Sequence, residues 1–230
     1  MRVDVAFTPA ERAGAPVAIV VDVMRATSTI AQALASGYPR VLCAPGIDEA
    51  RALREELGEG LLGGEREAVR IEGFDVGASP REFLEGRDVP VIFSTTNGTA
   101  AILAAAGRAE LVFAGSLLNL SAVARAAADS GEDVAIVCAG FQGAFALDDA
   151  YCAGRIVQLL DAERRDGAKA AELVARAYPE ALDGLLARTY GPPGLEDDLA
   201  WCARVDALDV VPRFTGMVGA AAELALVPTG

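Results

Sequence analysis

Short runs of apolar residues alternate along the first two thirds of the chain with segments whose apolar positions recur at helical spacing. The apolar runs predict strands at 3–7, 17–23, 40–44, 89–93, 111–114 and 134–138. The segments between them predict helices over 26–36, 47–57, 97–106, 117–129 and 147–160. Several of the predicted strands are apolar almost without interruption, which is typical of strands covered on both faces. The alternation therefore predicts an α/β fold, in which a mainly parallel sheet is layered with helices on both faces.

Two segments depart from this alternation. Segment 58–88 is rich in glycine and mixed charges without a clear period, which predicts either a smaller sheet region or a functional loop. After residue 161 the pattern is helical and more polar, interrupted by Gly-Pro-Pro-Gly at 191–194 and followed by a final amphipathic helix carrying Leu195, Leu199, Cys202 and Val205. We predict a single unit over 1–230, or two lobes of which 58–88 and 162–230 form the smaller.

The composition excludes several classes of function. Apolar residues make up 53% of the 230 residues, which is enough for a large core. The net charge of −13 argues against a nucleic-acid partner and against an anionic membrane, since both need a cationic surface. The chain has no histidine, which excludes Ser–His–Asp triads, Cys–His dyads and histidine-ligated zinc within one chain. Its single lysine, Lys169, lies between two alanines and therefore belongs to no phosphate-binding P-loop.

The four cysteines indicate the cellular compartment. Cys43, Cys138, Cys152 and Cys202 are widely spaced and form no Cys-x-x-Cys pair, so we expect buried, reduced thiols in a cytoplasmic protein. A nucleophilic Cys138 is the alternative, but no histidine or Cys-x5-Arg loop is present to activate it. We expect no signal peptide, because Asp4 interrupts the N-terminal segment, and no membrane span, because Asp22 breaks the longest apolar run.

Hydroxyl, amide and charged groups follow directly after three predicted strands. Strand 17–23 leads into Arg25, Thr27 and Ser28, strand 89–93 leads into Ser-Thr-Thr-Asn-Gly-Thr at 94–99, and strand 111–114 leads into Ser116 and Asn119. Ligands of parallel sheets bind at these carboxyl ends, where free N–H groups of helix starts favour anions. Segment 94–99 thus fits a phosphate cradle. The alternative is plain helix capping, by Thr27 or Ser28 for helix 26–36 and by Asn97 or a neighbouring threonine for helix 97–106.

Charged side chains near these strand ends suggest the chemistry. Arg25 either binds a planar anion or pairs with Asp22, which interrupts an apolar strand. Without histidine, a cation such as Mg²⁺ held by carboxylates, phosphate and water is the natural electrophile for phosphoryl chemistry. The carboxylates available for such a site, besides Asp22, are Glu65, Asp75, Asp148 and Asp149. Capping of a helix is the alternative for Asp148 and Asp149, and a solvated loop is the alternative for Glu65 and Asp75.

In their order along the chain, these segments resemble the 2-phosphosulfolactate phosphatase (ComB-like) family. The most specific stretches are VDVMRATSTI at 21–30 and STTNGT at 94–99. The remaining matches are GER at 64–66, GFDVG-x-SP at 73–80, GS-x-x-N at 115–119, VCAG at 137–140, LDDAYCAG at 147–154 and DVVP at 209–212. The resemblance covers nearly the whole chain.

The resemblance implies a Mg²⁺-dependent acid phosphatase with a layered α/β fold, which removes phosphate from 2-phospho-3-sulfolactate in coenzyme M synthesis. Carried over residue by residue, it points to Asp22, Arg25, Thr27, Ser28, Glu65, Asp75, Thr95, Thr96, Asn97, Cys138 and Asp149. This chain departs from the family pattern at Glu67, Ala68 and Ala78, which replace glycines and an asparagine, at Asp148, which replaces a glutamate, and in the segment 188–194.

Our working hypothesis is a Mg²⁺-dependent phosphatase for a small 2-phospho-acid, with Asp22, Arg25 and Asp149 as catalytic residues. Metal binding is assigned to Asp22, Glu65 and Asp149, with Asp75 in reserve. Substrate binding is assigned to Arg25, Thr27, Ser28, Arg66, Thr95, Thr96, Asn97 and Gly98. The attacking group is either a water polarised by the metal or Asp22 itself, which would form an aspartyl-phosphate.

Two other interpretations remain at this point. One is a non-catalytic anion-binding homologue that has lost hydrolysis, and the other is an interaction protein whose motif residues only cap helices. In the preferred interpretation the partner is a small phosphate ester, with no nucleic acid and no membrane, and a homodimer is left open.

Overall fold

The computed structural model describes residues 1–11 and 14–226. The strands are β1 Arg2–Ala6, β2 Val17–Val21, β3 Val41–Cys43, β4 Leu61–Arg66, β5 Val69–Arg70, β6 Val91–Ser94, β7 Leu111–Gly115, β8 Val134–Cys138, β9 Glu163–Arg164, β10 Pro212–Val218 and β11 Ala221–Leu226. The helices are α1 Ala26–Ala35, α2 Ile47–Leu57, α3 Gly98–Ala106, α4 Leu120–Asp129, α5 Leu147–Leu159, α6 Asp166–Ala177, α7 Ala181–Leu186 and α8 Glu196–Cys202, with a 3₁₀ turn at Pro80–Phe83. The predicted strands and helices of the first 160 residues are confirmed.

One sheet contains all the described strands, in the order β5-β4-β6-β3-β11-β10-β7-β2-β8-β1-β9. Strands β4, β6 and β3 form one parallel group, and β7, β2, β8, β1 and β9 form a second. The antiparallel hairpin β10–β11 lies between the two groups and pairs with β7 on one side and β3 on the other. The predicted α/β class with a mainly parallel sheet is therefore confirmed.

Helices cover both faces of this sheet. Along β2, Val17, Ile19 and Val21 face the core that is shared with α4 and α5, while Ala18 and Val20 face the core that is shared with α1 and α3. This alternation follows from the two-residue period of a strand, so a strand buried on both sides must be apolar throughout. Helices α1 and α3 contact strands of both parallel groups and form a shared layer between them.

The chain after residue 161 differs in part from its predicted helical character. Helices α6, α7 and α8 confirm it as far as Cys202, but 212–226 forms the central hairpin of the sheet. This hairpin turns at Gly219, with a φ of +57°, and buries Ala222 and Leu224. Its pairing partners, β3 and β7, lie far away in the sequence, so local periodicity carries no trace of them.

Segment 58–88 belongs to the same sheet. Of its two predicted alternatives, a sheet region or a functional loop, the sheet region is therefore confirmed. It contributes β4 and β5 before it reaches the 3₁₀ turn. Strand β4 approaches β6 very closely at Gly64, where an added Cβ would lie 2.1 Å from the carbonyl oxygen of Ser94. In the described part of the chain, none of the helices is both long and apolar enough to cross a bilayer.

Candidate active site

A cavity of about 320 Å³ opens at the carboxyl ends of strands from both parallel groups. The residues after β2 contribute Asp22 and Arg25, and the end of β4 contributes Glu65. The residues after β6 contribute Thr95, Thr96 and Asn97, and those after β8 contribute Phe141 and Gln142. The segment between α7 and α8 completes the wall with Arg188, Tyr190, Gly191, Pro192 and Leu195. The cavity therefore lies at the place where parallel α/β sheets bind ligands.

Asp22 follows β2 directly and is 8% exposed. The side chain of Thr27 fixes this turn, because its Oγ1 accepts a hydrogen bond from Asp22 N at 3.1 Å and donates to Asp22 O at 2.9 Å. Burial raises the pKa of Asp22 to about 7, and the charges of Asp148 and Glu65 add to this rise. The N–H group of Ala26, 3.4 Å from Asp22 Oδ1, opposes it. Asp22 therefore titrates in the neutral range.

The N-termini of α1 and α3 converge at Asp22. Helix α1 begins at Ala26 and α3 begins at Gly98. A Cβ at Gly98 would lie 2.4 Å from the Cβ of Ala26 and 2.6 Å from Asp22 Oδ2, so this close approach requires glycine. Because the free N–H groups and dipoles of helix starts favour negative charge, the cavity has an anion-binding side next to its carboxylate.

The predicted helix caps are confirmed at one helix and wrong at the other. Thr95 caps α3, since its Oγ1 accepts a hydrogen bond from Thr99 N at 3.1 Å. Asn97 instead joins two loops, because its Oδ1 accepts from Gln142 N at 3.1 Å. At α1, the hydroxyls of Thr27 and Ser28 donate to the carbonyl oxygens of Asp22 and Val23 rather than capping the helix.

Glu65 connects the end of β4 to the loop that follows β6. Its Oε1 accepts a hydrogen bond from Thr96 N at 2.8 Å, and its Oε2 accepts from Ala68 N at 2.7 Å. These two N–H groups orient the carboxylate at the cavity wall.

Arg25 does not pair with Asp22 in this structure. Its Nη1 lies 2.6 Å from Asp198 Oδ2 on α8, and its Nη2 donates to Ala68 O at 3.1 Å. The Arg25 and Asp198 side chains are 9% and 7% exposed. Ser79 Oγ also donates to Asp198, at 2.6 Å. No sequence pattern pointed to Asp198, because its importance depends on where α8 packs.

Some of the predicted site residues lie outside the cavity wall. Thr27 and Ser28 are fully buried behind the turn of Asp22. Arg66 turns away to Ser94, with its Nη2 3.0 Å from the hydroxyl oxygen and its Nη1 3.1 Å from the carbonyl oxygen. Asp75 is 42% exposed and accepts hydrogen bonds from Leu62 N and Arg54.

Asp149 is also buried outside the cavity wall. Its Oδ1 accepts a hydrogen bond from Val23 N at 2.9 Å, and its Oδ2 accepts from Gly140 N at 3.0 Å. It therefore joins the ends of β2 and β8. The thiol of Cys138 is fully buried, and burial raises its pKa well above the usual range, which leaves it without thiolate character at neutral pH.

The segment between α7 and α8 supplies site residues that the sequence interpretation did not assign. Tyr190 Oη donates to Asp148 Oδ1, and Arg188 Nη1 lies 3.7 Å from Asp148 Oδ2. The ring of Tyr190 stacks on Phe141 with centroids 4.4 Å apart. The available signal was the polar break at Gly-Pro-Pro-Gly, which indicates a loop but not where the loop packs.

The expected magnesium ion can be tested against the donors present. The described residues contain no ready-made group of three or more cysteine, aspartate and glutamate side chains with the arrangement of a metal site. Asp22 and Glu65 do face the same cavity. Because Mg²⁺ in phosphate-handling sites commonly uses one or two carboxylates and takes its other ligands from phosphate and water, this pair fits such an ion. Asp75 and Asp149 lie outside that arrangement.

The fold and the cavity define the class: a mainly parallel α/β protein whose carboxylates and helix N-termini meet in one pocket at the strand ends. A family model described as 2-phosphosulpholactate phosphatase matches residues 5–216. A protein of Symbiobacterium thermophilum named "Probable 2-phosphosulfolactate phosphatase" is 41% identical over 221 residues, which cover 90% of this chain and 94% of that protein. A Thermus thermophilus protein of the same name is 40% identical over 233 residues, with 96% and 98% covered.

The chain belongs to the 2-phosphosulpholactate phosphatase family, as the resemblance implied. It is therefore an enzyme of the phosphoric monoester hydrolase class.

Proposed function

We propose that this enzyme hydrolyses 2-phospho-3-sulfolactate, or a 2-phospho-acid very similar to it, to the 2-hydroxy acid and phosphate with the help of Mg²⁺. This is the reaction type of coenzyme M biosynthesis. The names of the relatives support the substrate class. The observation that carries the proposal is the meeting of Asp22, Glu65 and the N-termini of α1 and α3 in one cavity.

The phosphate group has a natural place beside the two helix starts. Main-chain N–H groups at the beginning of α1 and α3 and the polar side chains of Thr96 and Asn97 supply donors there. Arg25 adds positive charge to the same wall, held in one orientation by Asp198 and by Ala68 O. These groups bind and orient the phosphoryl oxygens without rearrangement of the main chain.

Asp22 and Glu65 would hold the cation. When bound, Mg²⁺ supplies a positive charge that neutralises the phosphoryl oxygens. The N–H groups of Thr96 and Ala68 keep Glu65 in its orientation, and the turn fixed by Thr27 does the same for Asp22. The stacked rings of Phe141 and Tyr190 limit the access of bulk water to this side of the cavity.

The four cysteines support a cytoplasmic location, which we include in the proposal. All four are buried with free thiols, as expected of a protein in a reducing compartment.

The test is phosphate release from 2-phospho-3-sulfolactate and 2-phospholactate, measured with Mg²⁺ and with EDTA. We expect release with Mg²⁺, loss of release in EDTA, recovery when Mg²⁺ is added back, and a loss of several orders of magnitude in Asp22→Asn. Full activity in EDTA would contradict the metal role. Binding of these acids without any release of phosphate would instead show a non-catalytic anion-binding homologue.

A further inference from the structure

Arg188 lies in the cavity wall with its hydrogen-bonding capacity unused. Its side chain is 8% exposed, and within the described residues its guanidinium makes no hydrogen bond. Its ion-pair partner there, Asp148 Oδ2, is 3.7 Å from Nη1, which is too long for a hydrogen bond. Arg25 in the same cavity is different, because its Nη1 donates to Asp198 and its Nη2 donates to Ala68 O. The N–H groups of Arg188 are therefore available to a ligand in the cavity.

The surroundings hold Arg188 in place and, among the described residues, leave the N–H groups of its guanidinium without a hydrogen bond. Asp148 Oδ1 accepts hydrogen bonds from Tyr190 Oη and from Asp149 N. The hydrogen bonds of Asp148 are therefore made with these two donors and not with Arg188. The Cζ atom of Arg188 lies 5.7 Å from the centre of the Tyr190 ring. On another side Gly191 turns with a φ of +98°, and an added Cβ there would lie 3.3 Å from the same Cζ atom. The guanidinium is therefore packed in a fixed position before any ligand arrives.

The remaining charges of the cavity show what Arg188 would bind. Asp22 and Glu65 line the cavity and would be engaged by the cation that holds the phosphate, while Glu67 in the same wall repels a second anionic group of a substrate. Such a group needs a cation of its own, and Arg188 provides one on the segment between α7 and α8. A planar guanidinium forms two parallel hydrogen bonds with a carboxylate, which gives both strength and a fixed orientation.

We propose that Arg188 binds the carboxylate of the phospho-acid substrate and thereby selects substrates that carry a carboxylate beside the phosphate ester. The proposal rests on the proposed function, because it names the part of the substrate that is not transferred. Asp148 and Tyr190 are positioning residues in this scheme, since they act through Arg188 and the segment that carries it.

The experiment compares three phosphate esters on the full-length enzyme with Mg²⁺: 2-phospholactate, its carboxamide 2-phospholactamide, and 2-sulfoethyl phosphate. We expect Arg188→Met to lower kcat/KM for 2-phospholactate by about 10- to 100-fold, which is the range for a lost charged hydrogen-bonding pair. Most of this loss should appear as a higher KM, because the contact exists equally in the ground state and the transition state. The kcat/KM of Arg188→Met for 2-phospholactamide should differ from that of wild type by less than about threefold.

Two further variants make the result specific. Arg188→Lys keeps the charge but loses the two parallel N–H donors of the guanidinium. Its kcat/KM for 2-phospholactate should therefore lie between the values of wild type and Arg188→Met. Arg176→Met is the matched control, because Arg176 is 65% exposed on α6 and pairs with Glu172. It should leave all three substrates unaffected. Melting temperatures of the variants identify any loss that comes from misfolding.

Several results would overturn the assignment. An equal loss of kcat for 2-phospholactate and 2-phospholactamide would show a structural role for Arg188. A loss confined to 2-sulfoethyl phosphate would show a sulfonate site instead of a carboxylate site. If wild type releases phosphate from none of the three and also not from 2-phospho-3-sulfolactate, the proposed function fails. Calorimetric binding of 2-phospholactate and its amide to wild type and Arg188→Met then decides the carboxylate site independently.

Discussion

At the scale of single residues, Asp22 shows how burial changes the chemistry of a carboxylate. It follows a strand that is apolar on both faces and lies beside the starts of two helices. Burial is the largest cause of its raised pKa of about 7, and the N–H group of Ala26 offsets only part of the effect. A carboxylate with this pKa is a typical feature of a functional site.

This pKa predicts how the stability of the metal-free protein depends on pH. In the unfolded chain the pKa of an aspartate is about 4. Between that value and about 7, the folded protein holds a proton at Asp22 that the unfolded chain has released. The contribution of Asp22 to the free energy of unfolding should therefore fall as pH rises through this window and become constant above it, with a slope of at most about 1.4 kcal/mol per pH unit.

Thermal unfolding in EDTA at a series of pH values measures this slope. Asp22→Asn removes this contribution and should make the curve between pH 5 and pH 7 shallower, while the buried Asp148 and Asp149, whose pKa values burial also raises, keep part of the slope. If the variant keeps the slope of the wild type, Asp22 is not the group responsible.

Residue type and position in the sequence identified part of the site. Asp22, Arg25, Glu65, Thr95, Thr96 and Asn97 were predicted and line one cavity, with Gly98 directly behind Asp22. Arg66, Asp75 and Asp149 were predicted on the same grounds but bind main-chain or side-chain partners outside it. A motif shows that a charged group is near the strand end, but its direction depends on partners from other segments. The functional roles of all these residues stay predictions.

At the scale of elements, α8 has a larger role than its length of seven residues indicates. It places Asp198 against Arg25. Asp198 also accepts a hydrogen bond from Ser79, the residue directly before the 3₁₀ turn. The helix itself was predicted from its amphipathic pattern, and Leu199 and Cys202 are buried on it as expected, but Leu195 and Val205 lie outside it. In the sequence, the acidic first turn of this helix indicates only stabilisation of the helix N-terminus by negative charge; its residues are Glu196, Asp197 and Asp198.

Two neighbouring aspartates on α8 provide a matched test. Asp198→Asn removes the charge partner of a buried arginine and should lower the free energy of unfolding by about 3 kcal/mol. Asp197→Asn removes a partner of Arg81 that is 77% exposed, and it should cost less than about 1 kcal/mol. Denaturant titration of both variants measures their free energies of unfolding. Equal losses would show that the buried Arg25–Asp198 pair contributes no more to stability than the exposed Arg81–Asp197 pair.

At the scale of the whole molecule, the C-terminal hairpin joins two parallel groups of strands into one sheet. The cavity draws on both groups, because β4 and β6 belong to one and β2 and β8 to the other. The hairpin and the shared layer of α1 and α3 therefore determine how the two sides of the cavity face each other.

Two leucines of β11 test the importance of the hairpin for stability. Leu224 is fully buried, whereas Leu226 on the same strand is 41% exposed. Leu224→Ala should lower the free energy of unfolding by about 2 to 5 kcal/mol through lost burial and the cavity left behind. Leu226→Ala should change it by less than about 1 kcal/mol. Chemical denaturation followed by circular dichroism measures both, and a small effect at Leu224 would contradict a central position of the hairpin.

The sequence by itself determined the fold class, the elements of the first 160 residues outside segment 58–88, the exclusion of histidine chemistry within the chain and the family. Periodicity, strand-end motifs and composition are local properties, so they can be read without knowing what packs against what. Tertiary structure alone decided that 212–226 pairs in the middle of the sheet, that Asp198 holds Arg25 and that Arg188 enters the cavity. Each of these contacts joins residues that lie far apart in the chain, and their energy arises from burial and charge pairing that exist only once the chain has folded.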